Sequence, residues 1–489
     1  MAGQDMADSE AGRFDGVKVV VMGLGLNGGG TAAARHFASK GAELVITDIK
    51  PKEELAVSLA ALNGYKYKFI QQKDYTLDDV QKNDILIKNP AVPWEHPWLA
   101  AARRIETDVS IFLAHNKGRL TAVTGSKGKS TTAAAVHYAL EKAKQSGLLP
   151  GRAFLGGNIR RSPLEFIDQA GIHDDVVLEL SSFQLGDIVR YAKHPRALLK
   201  PACAIFTAIL PDHLDRYHND MAAYIADKRA LYAGQDQSCA TIAQADGWGL
   251  SFLAESRGRP FRYGDTPPPG NAPGAWLDGL GGAGIARLPS GETVEVAPAS
   301  PRLPGRHHKK NLLAAALALL DRGLPSGFIR EALGGFGGLE HRMEFFHESG
   351  GVRFYNDSAA TLPHAVKAAM ESFDTPVILV AGGRDKNLDF APLVEGAARA
   401  KAIVLLSGSR GEGGTGTAKL LPLLHKRGLP VTGPFDSPQA AAAACLQAAA
   451  PGDSVILSPG CASFDMFDNE FDRGEKWKAA VLKATADTH

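Results

Sequence analysis

The segment TAVTGSKGKSTT contains the residues with the most definite chemistry in the chain. Its β-branched start predicts a strand, and the residues from about Ser130 onward predict a helix. Between them, Gly125 and Gly128 let backbone N–H groups close around phosphate oxygens, beside the partial positive charge of the helix N-terminus. Lys129 would reach the β- and γ-phosphates of a nucleotide, and the Ser130 hydroxyl would face Mg²⁺. An ordinary glycine-rich turn is the alternative, but the intact GKST favours a phosphate-binding loop, shortened because Val123 replaces the first glycine of the general pattern.

A second glycine-rich turn, GLGLNGGG, directly follows the predicted strand VKVVVMG. Gly23, Gly25 and Gly28 have the spacing GxGxxG, and Asp48 follows the next predicted strand at the distance typical of a ribose-binding acid. The pattern predicts that a pyrophosphate or sugar nucleotide approaches the backbone here. Taken alone it fits NAD or FAD equally well, and a purely structural turn stays open.

Oxygen ligands for a divalent cation are concentrated in LELSSFQL and LPDHLDRY. Glu179 ends a predicted strand, and Asp212, His213 and Asp215 follow in the second segment. Carboxylates with one imidazole suit Mg²⁺ or Mn²⁺. A loop with a helix N-cap is the alternative for the second segment.

Three polar segments in the last third of the chain each follow a predicted strand. The four strands predicted there are RFYND, PVILVAGG, AIVLLSG and DSVILSPG, and the polar segments are NDSAAT, AGGRDKNLDF and LSPGCASFDMF. Open α/β sheets bind ligands beyond the carboxyl ends of their strands. We therefore expect the three segments to line one cleft.

The whole chain alternates β-branched apolar runs with alanine-rich helical stretches, which predicts an α/β fold of parallel sheets flanked by helices. Three such blocks predict three domains in series, with boundaries at 1–109, 110–337 and 338–489. The Gly/Pro-rich stretch 259–303 predicts hairpins and loops within the second domain. We expect the first twelve or so residues to be disordered.

Composition limits the function classes. The formal net charge of +1 gives no electrostatic reason to expect a nucleic acid or an anionic membrane as a partner. The four cysteines form no CxxC pair, so neither a disulfide framework nor a zinc site is expected. No apolar run approaches the roughly 20 residues that span a bilayer, and the N-terminus lacks a signal-peptide pattern. These features indicate a cytoplasmic protein.

The motifs taken together resemble the Mur ligase family, and most closely its glutamate-adding members. They occur in the family order, and ELSSFQL with DHLDRY and SPGCAS is the most specific combination. The resemblance implies a Rossmann-like UDP-binding domain, a central P-loop ATPase-like domain and a C-terminal Rossmann-like domain. It also implies ATP-dependent addition of D-glutamate to UDP-N-acetylmuramoyl-L-alanine through an acyl phosphate, in peptidoglycan precursor synthesis. The other motifs that carry it are GLGLNGG, TGSKGKST, GGNI, GRHHKKN, GLEHR, NDSAAT and GGRDK.

The resemblance implies a ligand for many individual residues. Those on the nucleotide side are Gly125, Ser126, Lys127, Gly128, Lys129, Ser130, Thr131, Asn311, Arg342 and Asp357. Those that contact the UDP-sugar are Gly25, Leu26, Asn27, Asp48, Lys50 and Asn158. Those that hold the incoming glutamate are Thr361, Lys386 and Ser463.

The resemblance also implies two Mg²⁺ ions and a modified lysine. Lys228 matches a lysine that the family carbamylates with CO₂, which converts a cation into an anionic oxygen ligand. From the sequence alone it resembles an ordinary exposed lysine of a helix. The implied metal ligands are Ser130, Glu179, His213 and carbamylated Lys228, and the implied catalytic set is Lys129, Glu179, His213 and Lys228.

Several positions depart from the family pattern. Ala359 stands where the family often has lysine, His308 where it often has asparagine, and Glu470 where it commonly has an aromatic residue. The segment NPAVP replaces the usual SPG loop of the first domain. Because Ala359 and Glu470 bear on the amino-acid pocket, L-glutamate or another amino acid stays open as the acceptor.

Other function classes also stay open at this point. They are an NAD-dependent oxidoreductase, a non-catalytic UDP-sugar sensor, and a ligase of another Mur step or of folate polyglutamylation. For the favoured ligase we expect a monomer, no nucleic-acid or membrane partner, and closure of the third domain about hinges near residues 335–345.

Overall fold

The computed structural model describes residues 13–26, 28–159, 161–279, 282–407, 416–463 and 466–486. The first twelve residues, expected to be disordered, and Asn27, expected to contact the UDP-sugar, lie outside this described part. The chain divides into two compact units. The first comprises the chain up to Asp278 with Gly284–Val296 and Asn311–Ala332, and the second comprises Ala297–Lys310 and the chain from Leu333 onward.

The first sheet of the first unit has five parallel strands in the order β3-β2-β1-β4-β5. Chain order reverses at β1, so its carboxyl end is the expected ligand-binding edge. The strands are β1 (Lys18–Met22), β2 (Glu43–Asp48), β3 (Lys68–Gln71), β4 (Ile85–Lys88) and β5 (Ile105–Glu106). The helices are α1 (Gly29–Ser39), α2 (Ala56–Ala60), α3 (Leu77–Gln81), α4 (Pro97–Ala101) and α5 (Asp108–His115).

The central sheet has nine strands in the order β14-β13-β12-β11-β10-β9-β6-β8-β7. The strands are β6 (Arg119–Thr124), β7 (Ala153–Gly157), β8 (Asp175–Glu179), β9 (Cys203–Phe206), β10 (Ala240–Gln244), β11 (Arg259–Gly264), β12 (Gly274–Leu277), β13 (Gly284–Arg287) and β14 (Thr293–Ala297). Pairing is parallel from β7 to β12, and β12 pairs antiparallel with β13. The hairpin predicted in the Gly/Pro-rich stretch is therefore confirmed, and it extends the sheet.

Seven helices accompany or follow the central strands among the described residues. They are α6 (Lys129–Gln145), α7 (Ser182–Tyr191), α8 (Pro195–Leu198), α9 (Met221–Arg229), α10 (Gly247–Glu255), α11 (Arg306–Asp321) and α12 (Ser326–Gly335). Strand β8, DVVLE, is buried at every position, as expected of a parallel strand covered on both faces.

The second unit contains a six-stranded sheet in the order β15-β16-β20-β17-β18-β19. The strands are β15 (Glu344–Ser349), β16 (Val352–Asn356), β17 (Val377–Ala381), β18 (Ala400–Leu406), β19 (Val431–Phe435) and β20 (Ser454–Leu457). The helices are α13 (Pro363–Met370), α14 (Ala391–Ala397), α15 (Gly416–Lys426), α16 (Pro438–Ala448) and α17 (Glu470–Ala486). Only β15 pairs antiparallel, and β20 inserts between β16 and β17, so the carboxyl ends of these three strands are neighbours.

The predicted α/β class with three parallel-rich sheets is confirmed. The domain boundaries at 109 and 337 stay a prediction. In the described part of the chain, no helix combines the length and the apolar character needed to cross a membrane.

Candidate active site

The phosphate-binding loop predicted from TGSKGKST lies between β6 and α6, as expected. Gly128 adopts φ 94°, and a Cβ there would lie 2.4 Å from Oδ1 of Asn311. At Gly125, φ is 150° and a Cβ would lie 2.0 Å from Oγ1 of Thr207. Both positions therefore exclude any side chain, and Asn311, expected on the nucleotide side, packs directly on the loop.

The backbone of the loop is fixed to the segment that follows β9. The N–H groups of Ser126 and Lys127 both donate to the carbonyl of Ala208, over 2.8 and 3.2 Å. Nζ of Lys129 donates to the carbonyls of Gly125 and Ser126 over 3.1 and 3.0 Å. Since two loop amides have a protein acceptor, the amides at the start of α6 are the donors best placed for an anion.

Lys228 is almost fully buried against the same loop, so the expectation of an exposed lysine is wrong. Its Nζ donates to the carbonyl of Gly125 over 2.8 Å and lies 4.6 Å from the ring centre of Tyr224. Burial, followed by repulsion from Lys129, lowers the pKa of Lys228 to about 7. A large share of the amine is therefore neutral near pH 7, which is the form that reacts with CO₂.

Glu179 ends β8, the strand next to β6, and its side chain is buried. Its Oε1 accepts a hydrogen bond from Nδ2 of Asn158 over 3.1 Å. Oε2 is buried and has no hydrogen-bond donor among the described residues. Because a buried carboxylate oxygen without a donor is costly, this atom fits a cation such as Mg²⁺.

His213 lies on the loop after β9, on the other side of β6 from Glu179. It adopts φ 54°, is exposed, and places its ring centre 5.3 Å from that of Phe183. Within the described chain, Glu179, Asp212 and His213 do not form a compact group of ligand atoms. Their joint role in metal binding stays a prediction.

Side chains from three other parts of the chain hold the glycine turn after β1, and one of them is Ser58, whose Oγ donates to the carbonyl of Gly25 over 2.7 Å. Asp48 accepts from the N–H of Gly25 through Oδ2 and from the N–H of Lys50 through Oδ1, each over 2.9 Å. Asn89 of the NPAVP segment donates from Nδ2 to the carbonyl of Gly23 over 3.1 Å. Asp48 thus shapes the turn, and the departure from SPG places an amide where it supports the same turn.

The other predicted UDP-sugar residues differ in their surroundings. Leu26 is 55% exposed in the glycine turn, and Lys50 forms an exposed ion pair with Glu54 at 2.9 Å. Asn158 is the exception, because it lies beside Glu179 in the central sheet. It therefore adjoins the predicted metal ligand, and its contact with the UDP-sugar stays a prediction.

In the second unit, the three polar segments contact one another at the carboxyl edge of the sheet. Ser458, after β20, donates from Oγ to Oδ2 of Asp357, after β16, over 2.8 Å. Arg384 and Ala462 exchange two backbone hydrogen bonds of 3.0 Å. The three segments are thus neighbours as predicted, and their lining of one ligand cleft stays a prediction. Burial raises the pKa of Asp357 to about 7.

The three residues expected to hold glutamate lie next to these inter-loop contacts. Lys386 is exposed two residues after Arg384, and Ser463 is buried one residue after Ala462. Thr361 follows Ala360, whose carbonyl accepts from the N–H of Gly460 over 2.8 Å. The geometry therefore gathers a cation and two hydroxyls on connected loops.

Arg473, a residue without a predicted role, joins two of the loops. It is 1% exposed, and its Nε and Nη2 donate to Oγ and the carbonyl of Ser358 over 2.9 and 2.8 Å. Its Nη1 donates to the carbonyl of Cys461 over 3.1 Å. Burial lowers the pKa of Arg473 to about 10, so it stays cationic at neutral pH. An arginine in the first turn of a helix after a polar motif is the only sequence signal for it.

The turn between α12 and β15 contains two residues with positive φ that are not glycine. His341 has φ 60° and Met343 has φ 48°, and the N–H of Met343 donates to Oδ1 of Asp357 over 3.2 Å. Between them Arg342 is exposed. Such backbone persists only where its surroundings determine it, and it coincides with the predicted hinge.

Two family models match the chain: the Mur ligase middle domain over residues 123–319 and the glutamate ligase domain of Mur ligases over 341–461. The UDP-N-acetylmuramoylalanine–D-glutamate ligase of Treponema pallidum is 37% identical and aligns with 96% of this chain and 98% of its own length. The enzyme of the same name from Roseiflexus is 38% identical, over 96% of this chain and 99% of its own.

The chain belongs to the Mur ligase family. Among solved structures, the UDP-N-acetylmuramate–alanine ligase of Thermotoga maritima matches 96% of this chain and 100% of its own, at 19% identity and a TM-score of 0.53. The MurF ligase of the same organism, solved with ADP, matches 97% of this chain and 96% of its own, at 14% identity and a TM-score of 0.51. These likenesses show the fold of a Mur ligase. Because the relatives at 37% and 38% identity show a Mur ligase, the oxidoreductase alternative is wrong.

Proposed function

We propose that this Mur ligase joins D-glutamate to the L-alanyl carboxylate of UDP-N-acetylmuramoyl-L-alanine, with cleavage of ATP to ADP and phosphate, in peptidoglycan precursor synthesis. Relatives named for this reaction, which align over nearly the whole chain, support the substrates. The observation that carries the chemistry is the phosphate-binding loop packed against buried Lys228, with Glu179 ending the adjacent strand. We also propose that the enzyme acts in the cytoplasm, as a monomer without nucleic-acid or membrane partners.

The proposed arrangement has three domains, at 1–109, 110–337 and 338–489. One sheet in each segment supports it. The first sheet would hold the UDP-sugar at its glycine turn, and the central sheet would hold ATP. The third would hold glutamate through Thr361, Lys386 and Ser463, where a cation and hydroxyl donors suit two carboxylates.

In the first step, an oxygen of the substrate carboxylate attacks the γ-phosphorus of ATP, the bond to the β-phosphate oxygen breaks, and ADP leaves. Lys129 balances charge on the transferring phosphoryl group, so catalysis is mostly positioning and electrostatics. Ser130, Glu179, His213 and Lys228 as a carbamate would hold two Mg²⁺ ions. When bound, these ions supply Lewis-acid stabilisation of phosphoryl oxygens.

In the second step, the neutral amine of glutamate attacks the acyl phosphate. The tetrahedral intermediate expels inorganic phosphate and the nitrogen loses a proton, which leaves the new amide. His213, as a metal ligand, is not the base for this proton. Closure about the turn at 335–345 would exclude water, because the acyl phosphate otherwise hydrolyses.

The test is phosphate release from ATP with UDP-N-acetylmuramoyl-L-alanine and a panel of D- and L-amino acids. We expect release to need all three substrates and to be fastest with D-glutamate. Because Ala359 and Glu470 depart from the family pattern, L-glutamate or another amino acid is the alternative acceptor. A preference for L-glutamate would replace the acceptor, and release without the UDP-sugar would refute the ligase assignment.

A further inference from the structure

A fully buried ion pair lies between the first and central sheets of the first unit. Nζ of Lys88, the last residue of β4, is 2.9 Å from Oδ2 of Asp187 in α7, and both side chains are 0% exposed. The other oxygen of Asp187 accepts from Nε1 of Trp94 over 2.7 Å. Buried ion pairs return little stability, because desolvation offsets their attraction. The Lys88–Asp187 pair is therefore a candidate for a role other than stabilising the fold.

A second contact joins a loop of the central sheet to a loop of the first sheet. Arg216, on the DHLDRY loop, donates from Nη1 to the carbonyl of Ala91 over 3.1 Å and from Nη2 to that of Val92 over 3.3 Å. Its guanidinium lies 4.7 Å from the ring centre of Phe183. The DHLDRY loop is thus hydrogen-bonded to the NPAVP segment through two donors of one guanidinium group. Lysine cannot reproduce this geometry.

These contacts join the NPAVP segment, which lies beside the predicted UDP-sugar turn, to the DHLDRY loop, which carries a predicted metal ligand. On one side, Asn89 of NPAVP supports the glycine turn of the first sheet through Gly23. On the other side, the ring of Phe183 contacts both Arg216 and His213. The path therefore runs from the UDP-sugar turn to the predicted metal loop, entirely within one compact unit.

We propose that Lys88, Trp94, Asp187 and Arg216 form a clasp that positions the UDP-sugar turn relative to the loop that carries His213. The clasp rests on the proposed function, and its members are positioning residues without contact to the reacting atoms. Its effect is to hold the substrate carboxylate within attacking distance of the γ-phosphate. An error of about 1 Å there costs on the order of 100-fold in rate.

The main test replaces the ion pair by apolar side chains of similar size, Lys88→Met with Asp187→Leu. Such a replacement commonly keeps or raises stability. Acyl phosphate formation is followed without amino acid, by trapping with hydroxylamine in the presence of ATP and UDP-N-acetylmuramoyl-L-alanine. We expect about a tenfold or greater fall in the trapping rate at saturating substrates, with the Kd of Mg-ATP unchanged.

Lys144→Met is the matched control. It removes the lysine, 2.7 Å from Oδ2 of buried Asp175 at the amino end of β8, and Arg322 stays 2.8 Å from the other oxygen of this carboxylate. We expect it to lose thermal stability while the trapping rate stays within about twofold. Arg216→Lys is the second variant, on a partly exposed side chain, and should lower the rate at unchanged thermal midpoint.

The outcomes separate the two proposals. A wild-type chain that forms no hydroxamate counts against the proposed function. A wild-type chain that forms it, with the double variant and Arg216→Lys equally fast, overturns the clasp. The clasp is also overturned if Lys144→Met, at a comparable loss of thermal stability, loses as much trapping rate as the double variant. If the double variant does not fold, Arg216→Lys decides alone.

Discussion

The side-chain amide of Asn158 donates to Oε1 of Glu179 over 3.1 Å, while Oε2 of the same carboxylate is buried without a donor among the described residues. The side-chain amide fixes the orientation of the carboxylate. The backbone N–H of Asn158 also donates to the backbone carbonyl of Glu179 over 2.8 Å. One oxygen is thereby committed to the protein, and the other is left for a cation.

Glu179→Gln should raise the Mg²⁺ concentration needed for half-maximal activity and lower kcat, by about tenfold or more in each case. The substitution keeps the size of the side chain but removes the anionic ligand. Phosphate release measured across a magnesium series checks this, with exposed Glu141→Gln on α6 as the control. An unchanged magnesium dependence would exclude Glu179 as a ligand.

Lys129→Ala should lower ligation by at least about 100-fold, because the charge that develops on the transferring phosphoryl group loses its cation. Binding of the UDP-sugar, measured by calorimetry, should be nearly unchanged, since its predicted contacts lie mostly on the first sheet. Exposed Lys142→Ala on the same helix serves as the control. Equal loss of UDP-sugar affinity would contradict this division of labour.

Lys228→Ala should lower activity through loss of the carbamate oxygens, and formate or acetate should restore part of it. Small carboxylates fit because the substitution opens space beside Gly125, where Nζ lies 2.8 Å from the carbonyl. Activity is measured over a wide range of added carboxylate, with chloride at equal ionic strength for comparison. The absence of any recovery would count against a carbamate.

Lys228 should also give the unfolding free energy a pH dependence. Its pKa is about 7 in the folded state and near 10.5 in the unfolded state, so between these values the unfolded state binds more protons. Stability should therefore rise with pH from 7 towards 10 in CO₂-free buffer, and below pH 7 this group should add no slope. Urea unfolding of the wild type and Lys228→Met checks the sign, and equal slopes for both would refute it.

Arg473→Lys should raise the KM for glutamate by about tenfold while the KM for ATP changes little. Lysine keeps the charge but cannot bond Ser358 and Cys461 together, so the loops around Thr361 and Ser463 lose their common support. Steady-state kinetics with each substrate varied in turn checks this, with exposed Arg427→Lys as the control. A uniform change in every KM would indicate a general loss of structure.

The sequence was sufficient for the elements whose signals are local. The loop between β6 and α6 was predictable from two glycines that no other residue could replace. Gly128 has φ 94°, and Gly125 lies too close to Thr207 to carry a side chain. Strands β16, β17 and β20 follow from β-branched runs, and their neighbouring ends made the grouping of three loops predictable.

Edge strands and long-range partners were not predictable in this way. Strand β19 is mostly exposed, so its residues lack the apolar run of a buried strand, and β15 is an antiparallel edge strand of mixed polarity. Lys228 has no local signal for burial, because its environment comes from a loop about 100 residues earlier in the chain. The same holds for Lys88, whose partner Asp187 is 99 residues away.

Transfer of oxygen from the substrate carboxylate to phosphate tests the central claim most directly. UDP-N-acetylmuramoyl-L-alanine labelled with ¹⁸O in the alanyl carboxylate is incubated with the protein, ATP, Mg²⁺ and D-glutamate, and the released phosphate is analysed by ³¹P NMR. An acyl phosphate predicts one ¹⁸O atom in each phosphate released, with the other retained in the amide product. Phosphate without label would contradict the account.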